Sequence, residues 1–539
     1  APAEAAVEAV PVPELPAVAE IVLLATGDVH GYLLPYDYIN DEPVHTSIAQ
    51  VHAYAENLRK DVPDLLLLDT GNTLQGQPVV YYYNNVRTDS RHITADVMEK
   101  MHYDAGSVGF YDFGTGPGVV EKVAGELAHP WLAANVARGN GNDRKLPFQP
   151  AVVFEHSGVT VAVVGLLDHD IGELLSQDTL GGIEIVEPAP VARRWLGGPE
   201  AAAADLVVGI YNTAPTAMDI QLADIRKFAA ETAGFDLIIA GGISPGMLFQ
   251  ATDSNGEQVS VVSPGEHAAS VADVRFTLQE TESGFTLETV SASIVPMEGV
   301  SYRDAAIAGY ESISDDVEEY LSRELGRISQ TISAEYSYLG DSTFMDLIHQ
   351  LQLDLTGADI SFASPPALDA RIEEGIVTVR DIFRLFPYET QLYVLELSGS
   401  EIDAYLEYSY SRWIAAMRAA DVLEDEITAC DSAAGIIYTV DPNGREGERV
   451  EITGVLSPYD YGSEPVPFSP DGSYLVVVPS FRGQGGGGHL VQGAGLEREE
   501  LQERFQYATL QDVRLYAMRL FEYSGTYQPF CDENWTFLP

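Results

Sequence analysis

Short apolar runs alternate with helical stretches in the first half of the chain, and this alternation restricts the fold more than any other feature. The apolar runs lie at residues 21–25, 65–69, 105–108, 159–166, 206–210 and 237–240. Helical stretches lie between them, for example at 47–59 and 95–102. Such runs of four to eight residues are typical of strands buried on both faces of an α/β sheet. Because ligands bind at the carboxyl ends of such strands, the first candidates for a functional site are the residues found there, Asp28, Asn72, Tyr211 and Gly242.

The pattern changes after residue 295. A charged, amphipathic stretch at 302–325 predicts one long helix, and a second α/β region follows it. In that region we predict helices at 344–355 and 400–418, and strands at 359–363, 391–397 and 474–478. A single hydrophobic core stops growing at roughly 250–300 residues, so a chain of 539 residues predicts two domains. The boundaries that we predict are a flexible leader at 1–19, an α/β domain at 20–298, a helical linker at 299–330 and a second α/β domain at 331–539.

Acidic residues dominate the charge of the chain. The net charge is −53, and lysine occurs only at positions 60, 100, 122, 145 and 227. Self-repulsion of this size opposes binding to a nucleic acid polymer. An acid-rich, lysine-poor surface is tolerated where salt screens the repulsion, which favours a marine or halophilic source. A secreted protein that is merely acidic is the alternative.

The first nineteen residues mix Ala, Pro, Val and Glu without helical or strand period. A leader of this kind follows a removed export signal or a lipid anchor. No run of about 18 apolar residues predicts a membrane-spanning helix. Cys430 and Cys531 either form one disulfide outside the cytosol or remain two thiols. We therefore expect an exported protein that is periplasmic, secreted or at the cell surface, with a lipid anchor as one form of attachment.

Asp28 and His30 lie two residues apart at the end of the first predicted strand. Side chains with this spacing project to one face. A carboxylate and an imidazole are common ligands of divalent zinc, manganese or iron. The pair predicts one side of a metal site, and the alternative is a capping Asp beside a hydrogen-bonded loop His.

Several later segments follow in a fixed order. Residues 66–78 resemble the second motif of the calcineurin-like metallophosphoesterases in their 5′-nucleotidase branch, and 236–244 resemble the last metal motif. Residues 377–388 and 397–399 resemble the nucleotide-binding C-terminal domain of that family. The similarity covers about 20–535. It implies a four-layer β-sandwich flanked by helices, joined by a helix to a C-terminal α/β domain.

The resemblance also shows departures at the metal motifs. Asn72 stands where the family has a bridging Asp, and a neutral amide lacks the charge to hold two cations close together. The motif Gly-Asn-His-Glu reads 109–112 as Gly-Phe-Tyr-Asp. Tyr111 replaces the His that stabilises the transition state, and a phenol of pKa about 10 remains a neutral donor. Tyr111 and Asp112 are accordingly the candidate catalytic residues.

Two further positions lack the family's imidazoles. The His that follows the strand at 205–210 is Tyr211, or Asn212 in the other register, and Gly242 and Ser244 replace the histidines of the last motif. We expect Asp28, His30 and Asn72 to bind no metal, or a single divalent Zn, Mn or Ca ion, and we do not expect a full dinuclear site. Three histidines of the domain, at 102, 169 and 267, occupy no expected strand end.

The resemblance implies a nucleotide pocket in the C-terminal domain. Tyr388 and Phe481 match the aromatic pair that sandwiches the base, although both could be core residues, and Thr390 replaces an Asn beside Tyr388. Asp369 replaces the phosphate-binding Arg, and Arg371 is the nearest substitute. These four residues, Tyr388, Phe481, Thr390 and Arg371, are the candidate substrate-binding residues, with a nucleotide or nucleoside as the expected ligand.

The losses favour an exported 5′-nucleotidase-family protein that is catalytically impaired or inactive and acts as a binding or structural surface protein. The alternative is a metal-dependent phosphoester hydrolase that acts on nucleotides. Tyrosines at 81–83 and at 405, 408 and 410 could support self-assembly or contacts with other surface proteins, because Tyr is enriched at interfaces. Half-buried helix positions are the other interpretation of these tyrosines.

Overall fold

The computed structural model describes residues 18–539 apart from 139–147, 176, 217, 282–283, 303–306, 388, 420–426, 457–463 and 510. The N-terminal half is built on two six-stranded sheets. In spatial order, the first sheet contains Gly284–Pro296, Ser270–Thr281, Val18–Thr26, Leu66–Asp69, Ala105–Ser107 and Trp131–Leu132. The second contains Met247–Thr252, Gln258–Ser263, Leu237–Gly241, Leu206–Asn212, Val159–Leu167 and Ala151–His156. Most of the predicted leader lies outside the described residues, and the first strand begins at Val18, inside its predicted bounds.

Alternate residues of the central strands explain how the sheets pack. Ile21, Leu23 and Ala25 are buried together with residues of the second sheet. Val22 and Leu24, one position out of phase, join a different core beneath the helices. Successive side chains of a strand point to opposite faces, so each apolar run supplies both layers of the interior.

Helices cover the outer faces of the two sheets. They are Ile48–Leu58, Pro78–Asn85, Ile93–Lys100, Phe110–Gly114, Pro117–Glu126, Asp170–Leu174, Gln177–Leu180, Pro188–Leu196, Pro199–Ala202 and Met218–Glu231. The order helix, sheet, sheet, helix is the four-layer arrangement that the resemblance implied. That prediction is confirmed.

The predicted helix over 302–325 is wrong in extent. Among the described residues of this segment, the regular helix is Glu311–Leu321, and Glu324–Ile328 is a strand. The strand pairs with Gly375–Thr378 and with Thr526–Tyr527. Tertiary pairing therefore overrides the helical pattern at the end of the linker.

The C-terminal half contains a five-stranded mixed sheet, in the order Ser432–Ala434, Ile360–Ala363, Ser473–Pro479, Leu392–Ser398 and Phe505–Ala508. A four-stranded sheet follows, with Val466–Pro467, Val450–Val455, Ile436–Val440 and Trp535–Phe537. The main helices are Thr343–Thr356, Val379–Leu385, Gly399–Arg418, Arg498–Arg504 and Val513–Ser524. Cys430 is buried and Cys531 is exposed, and no disulfide joins them.

One apolar core continues from the N-terminal half into the C-terminal half. Tyr81 packs edge-on against Phe383 with ring centroids 5.1 Å apart, and the buried Arg514 lies 5.5 Å from the Tyr81 ring. Tyr405 and Tyr410 are fully buried in the C-terminal core. Tyr81, Tyr405 and Tyr410 are therefore internal packing residues and offer no surface for intermolecular contacts. Tyr82 and Tyr408 are half-buried, and self-assembly stays a prediction.

Candidate functional site

Parallel strands bring the predicted site residues to one edge of the sheets. Thr26 pairs with Asp69, and Asn212 pairs with Gly241. Parallel strands end on the same side, so the loops after these residues meet. The resulting cluster, which we call the Asp28 site, contains Asp28, His30, Asn72, Tyr111 and Gly242, which line one pocket.

Hydrogen-bond donors occupy both carboxylate oxygens of Asp28. Asn72 Nδ2 donates to Oδ1 over 2.7 Å, and the backbone N–H of Gly242 donates to Oδ2 over 2.7 Å. The orientation of the Asn72 amide is fixed, because its Oδ1 accepts from the backbone N–H of Tyr111 at 2.9 Å. A Cβ at Gly109 would lie 2.1 Å from Asn72 Oδ1. Glycine at 109 is therefore what lets Asn72 enter the site.

Burial decides the protonation states of the site. Desolvation raises the pKa of Asp28 to about 7, although the bonds from Asn72 and Gly242 lower it. Desolvation, with the proximity of His267, lowers the pKa of His30 to about 3. At neutral pH His30 is thus uncharged, and Asp28 is partly protonated.

Asp112 has a structural role, which contradicts its prediction as a catalytic residue. Its carboxylate is fully buried and accepts backbone N–H groups of Gly109, Asn72, Thr73 and Leu74, over 2.7 to 2.9 Å. Four donors use the acceptor capacity of a carboxylate. Asp112 therefore joins the 72–74 and 109–112 segments and has no lone pair directed at a ligand.

Tyr111 lies where the prediction placed it. Its ring contacts His30 edge-on with centroids 4.9 Å apart, and the residue lines the pocket of the Asp28 site. The structure thus brings Asp28, His30, Asn72 and Tyr111 together. A role for Tyr111 as a hydrogen-bond donor to a ligand remains a prediction.

The strand Leu206–Asn212 settles which residue faces the site. Tyr211 is buried on the other side, stacked on Phe228 with centroids 4.6 Å apart. Asn212 points inward, and its Nδ2 donates to the Thr70 carbonyl over 2.9 Å. Asn212 is thus the residue of the pair that is nearer to Asn72, although it is not among the residues that line the pocket of the Asp28 site. Which of the two corresponds to the family's His stays a prediction.

Sequence reasoning did not consider Glu266, and it set His267 aside as a residue at no expected strand end, which is wrong. The His267 N–H donates to the Asp28 carbonyl over 2.8 Å, and its ring centroid lies 5.6 Å from that of His30. Glu266 lines the same pocket and accepts from the Ser244 hydroxyl over 2.8 Å. Both residues follow the strand Gln258–Ser263. The end of that strand was the sequence feature that could have identified them as site residues.

The chemistry of these donors does not fit two divalent cations. Asn72 Nδ2 and the Gly242 N–H direct the positive ends of their dipoles at Asp28, where a bound cation would have to lie. In the part of the chain that the structure describes, the only three His, Cys, Asp or Glu side chains that converge are Asp341, Asp346 and Cys531 in the C-terminal half. The Asp28 site lacks the charge that a dinuclear centre needs.

A cleft of about 1490 Å³ connects the Asp28 site to the C-terminal half. His30, Tyr111 and Glu266 line one part of it, and Phe481 and Thr390 line another. Phe481 is 42% exposed and so is not a core residue. Tyr388 lies outside the described residues.

Arg371 is not among the residues that line the cleft. It is exposed and forms an ion pair with Glu373 over 2.6 Å. The prediction that it substitutes for the phosphate-binding Arg is wrong in this structure, because its side chain is held at a different surface. In the described chain, no helix combines the length and apolar character needed to cross a membrane.

The chain is similar to known proteins over most of its length. A family profile described as the 5′-nucleotidase C-terminal domain matches residues 323–493. The trifunctional nucleotide phosphoesterase protein YfkN of Bacillus subtilis is 22% identical over 96% of this chain, which spans 39% of that protein. The 2′,3′-cyclic-nucleotide 2′-phosphodiesterase/3′-nucleotidase of Haemophilus influenzae is 20% identical over 96% of this chain and 88% of that protein. The structure of the 5′-nucleotidase precursor of Thermus thermophilus matches with a TM-score of 0.62 at 21% identity, over 96% of this chain and 99% of that one.

Proposed function

We propose that the chain is an exported member of the 5′-nucleotidase family that acts as a binding protein and hydrolyses phosphate esters poorly or not at all. The match of residues 323–493 to the C-terminal domain of that family, and the fold shared with a 5′-nucleotidase precursor, support the family. The ligand of the chain is a nucleoside or nucleotide held in the cleft between the Asp28 site and Phe481. The relatives named above are phosphoesterases, so the proposal is a loss of activity within a hydrolase family.

The observation that carries this proposal is the bonding of Asp28. Both of its oxygens accept hydrogen bonds of 2.7 Å, from Asn72 and from the Gly242 backbone. A metal would have to displace these two donors and gain only one carboxylate and one neutral imidazole, those of Asp28 and His30. Known catalytic zinc sites generally have three protein ligands. The remaining positions, Asn212 and Gly242, supply none of the missing charge.

Metal content and phosphate release together test the proposal. Purified protein is analysed for bound metal, and phosphate release from 5′-AMP and from an aryl phosphate is measured with added Mn²⁺ or Zn²⁺. We expect less than one metal per chain and no release that depends on Asp28. Stoichiometric metal, with turnover that Asp28→Ala abolishes, would overturn the proposal.

A metal-dependent phosphoester hydrolase is the second candidate function. The position of Glu266 and His267 beside His30 favours this second function. The two residues add a carboxylate and an imidazole that the family motifs do not predict. If this candidate is correct, Glu266→Gln and His267→Ala should each remove the metal that copurifies with the protein. Under the preferred proposal both variants have the metal content of the wild type.

Export, salt adaptation and assembly belong to the same proposal. The acidic surface, with a net charge of −53, supports a protein that works in a saline, extracytoplasmic setting, whether periplasmic, secreted or at the cell surface. Self-assembly remains a proposal without support from the buried tyrosines. Fractionation of the source cells and size-exclusion chromatography at high salt would test location and assembly.

A further inference from the structure

We propose that the cleft selects an uncharged nucleoside over the corresponding nucleotide. This inference rests on the proposed binding function and specifies its ligand. It follows from three properties of the residues around the cleft: their charges, the partners of their arginines, and an acceptor oxygen that lacks a hydrogen bond.

Negative charge prevails around the cleft. Among the described residues, six carboxyl groups and three guanidinium groups line it: Asp170, Glu173, Glu266, Glu389, Asp431 and Asp512, against Arg412, Arg482 and Arg498. Glu389 and Asp512 lie beside the buried Arg514 at 3.6 and 3.9 Å. Even without that pair, four carboxyl groups face three guanidinium groups. A phosphate of charge near −2 would therefore enter a cleft with no net positive charge.

Internal partners already engage the three arginines. Arg482 is almost fully buried and bonds to Asp431 over 2.9 Å. Arg498 bonds to Asp170 over 2.8 Å, across the two halves of the chain. Arg412 donates to the Gly487 carbonyl over 3.2 Å. A phosphate would have to compete with these internal partners for the guanidinium N–H groups.

The Asp28 end of the cleft is equally unsuited to an anion. Glu266 lies on the same wall as His30, and among the described residues no lysine or arginine lines the pocket of the Asp28 site. A phosphate placed beside His30 would thus meet a carboxylate and no cation.

Other features of the cleft suit a base and a sugar. Phe481 offers an exposed aromatic face on which a base can stack. Gln484, three residues later, is 7% exposed, and its Oε1 has no hydrogen-bond partner in the described chain. Gln484 is one of the residues that line the cleft. The amino groups of a base and the hydroxyls of a ribose are donors that can satisfy such an oxygen.

Calorimetric titration of the full chain with matched ligands tests the inference. The probes are the four ribonucleosides, their 5′-monophosphates and inorganic phosphate, at pH 8 and low salt. We expect at least one nucleoside to bind, its monophosphate to bind about ten-fold more weakly or worse, and phosphate not to bind. Glu266→Gln should narrow the gap between nucleoside and monophosphate by about five-fold.

Aromatic variants serve as the internal control. Phe481→Ala should weaken nucleoside binding by about five-fold or more. Phe530→Ala removes a ring of similar exposure, 46% against 42%, that does not line the cleft, and it should change nothing. A monophosphate that binds more tightly than its nucleoside, with the preference lost in Arg412→Gln, would overturn this inference and leave the proposed function standing. Failure of every probe to bind would overturn both.

Discussion

The substitution Asn72→Asp tests directly why the Asp28 site lacks a metal centre. It replaces the amide that donates to Asp28 over 2.7 Å with a carboxylate. Two ionised carboxylates at that separation of 2.7 Å would repel by about 6 kcal/mol at an effective dielectric constant of about 20. The pair would avoid part of this cost by binding a proton or by moving apart. Without metal, we expect the variant to lose about 2–4 kcal/mol of stability at pH 8, since a hydrogen bond to a charged group is also lost.

A divalent cation should reverse the effect in this variant alone. Two carboxylates and the His30 imidazole form a three-ligand set, so Mn²⁺ at a hundred times its dissociation constant would restore about 2.7 kcal/mol. The assay is thermal unfolding of wild type and variant with Mn²⁺ or with EDTA. Asn72→Gly is the matched control. Residue 72 has a φ of +61°, which glycine tolerates, and this variant removes the amide without adding charge.

The reasoning fails if wild type and Asn72→Asp respond equally to Mn²⁺. An equal response would mean that the Asn72 and Gly242 donors do not block a cation, and that the native donor set suffices. It also fails if Asn72→Asp is as stable as wild type in EDTA at pH 8. In that case the amide would contribute nothing to holding Asp28.

Three further predictions concern stability. Burial raises the pKa values of Asp28 and Asp69 from 3.8 to about 7, so the folded state binds more protons than the unfolded state up to that pH. The contribution of each carboxyl group to the free energy of unfolding in urea should therefore fall as the pH rises from about 4 to 8, with about 1 kcal/mol of that fall between pH 6.5 and 8. The buried histidines, whose pKa values burial lowers below 6.5, oppose this fall as the unfolded chain releases its last imidazolium protons. The Asp28 contribution is therefore measured as the difference between wild type and Asp28→Asn, which should shrink as the pH rises through 7. Asp112→Asn should lower the free energy of unfolding by about 2–4 kcal/mol in the same assay, because the new amide nitrogen would face backbone N–H groups. Unchanged stability together with altered phosphate release would instead support a catalytic role for Asp112. The melting temperature should rise with NaCl between 0.05 and 1 M, because salt screens a net charge of −53; an equal rise with sucrose would contradict screening.

The local pattern of apolar residues was sufficient to predict the strands and the residues that directly follow them. The strand Leu66–Asp69 ends where the apolar run ends, and Asn72 then falls at the sheet edge. The alternation of side chains along a strand did not show whether residue 211 or residue 212 faces the site. Both faces of that strand are buried, so no alternation of polar and apolar residues indicated that Asn212 faces inward.

Contacts distant in sequence were not predictable from pattern. His267 reaches His30 because the loop after Gln258–Ser263 folds over the Asp28 turn, although most of the N-terminal half separates the two residues along the chain. Asp112 was predicted as a site residue because it follows Tyr111. Its four backbone donors come from two loops that only the folded chain brings together.

The changes at the two ends of the cleft act in the same direction. At the Asp28 site, Asn72 and Gly242 stand where the resemblance implies metal ligands, and both direct hydrogen-bond donors at Asp28. In the C-terminal half, Arg371 pairs with Glu373 away from the cleft. A site that had lost only its metals would still hold phosphate through arginine. Under the proposed function, donors directed at Asp28, cleft arginines that already have internal partners and the exposed ring of Phe481 are what we expect of a site that recognises the base without the phosphate.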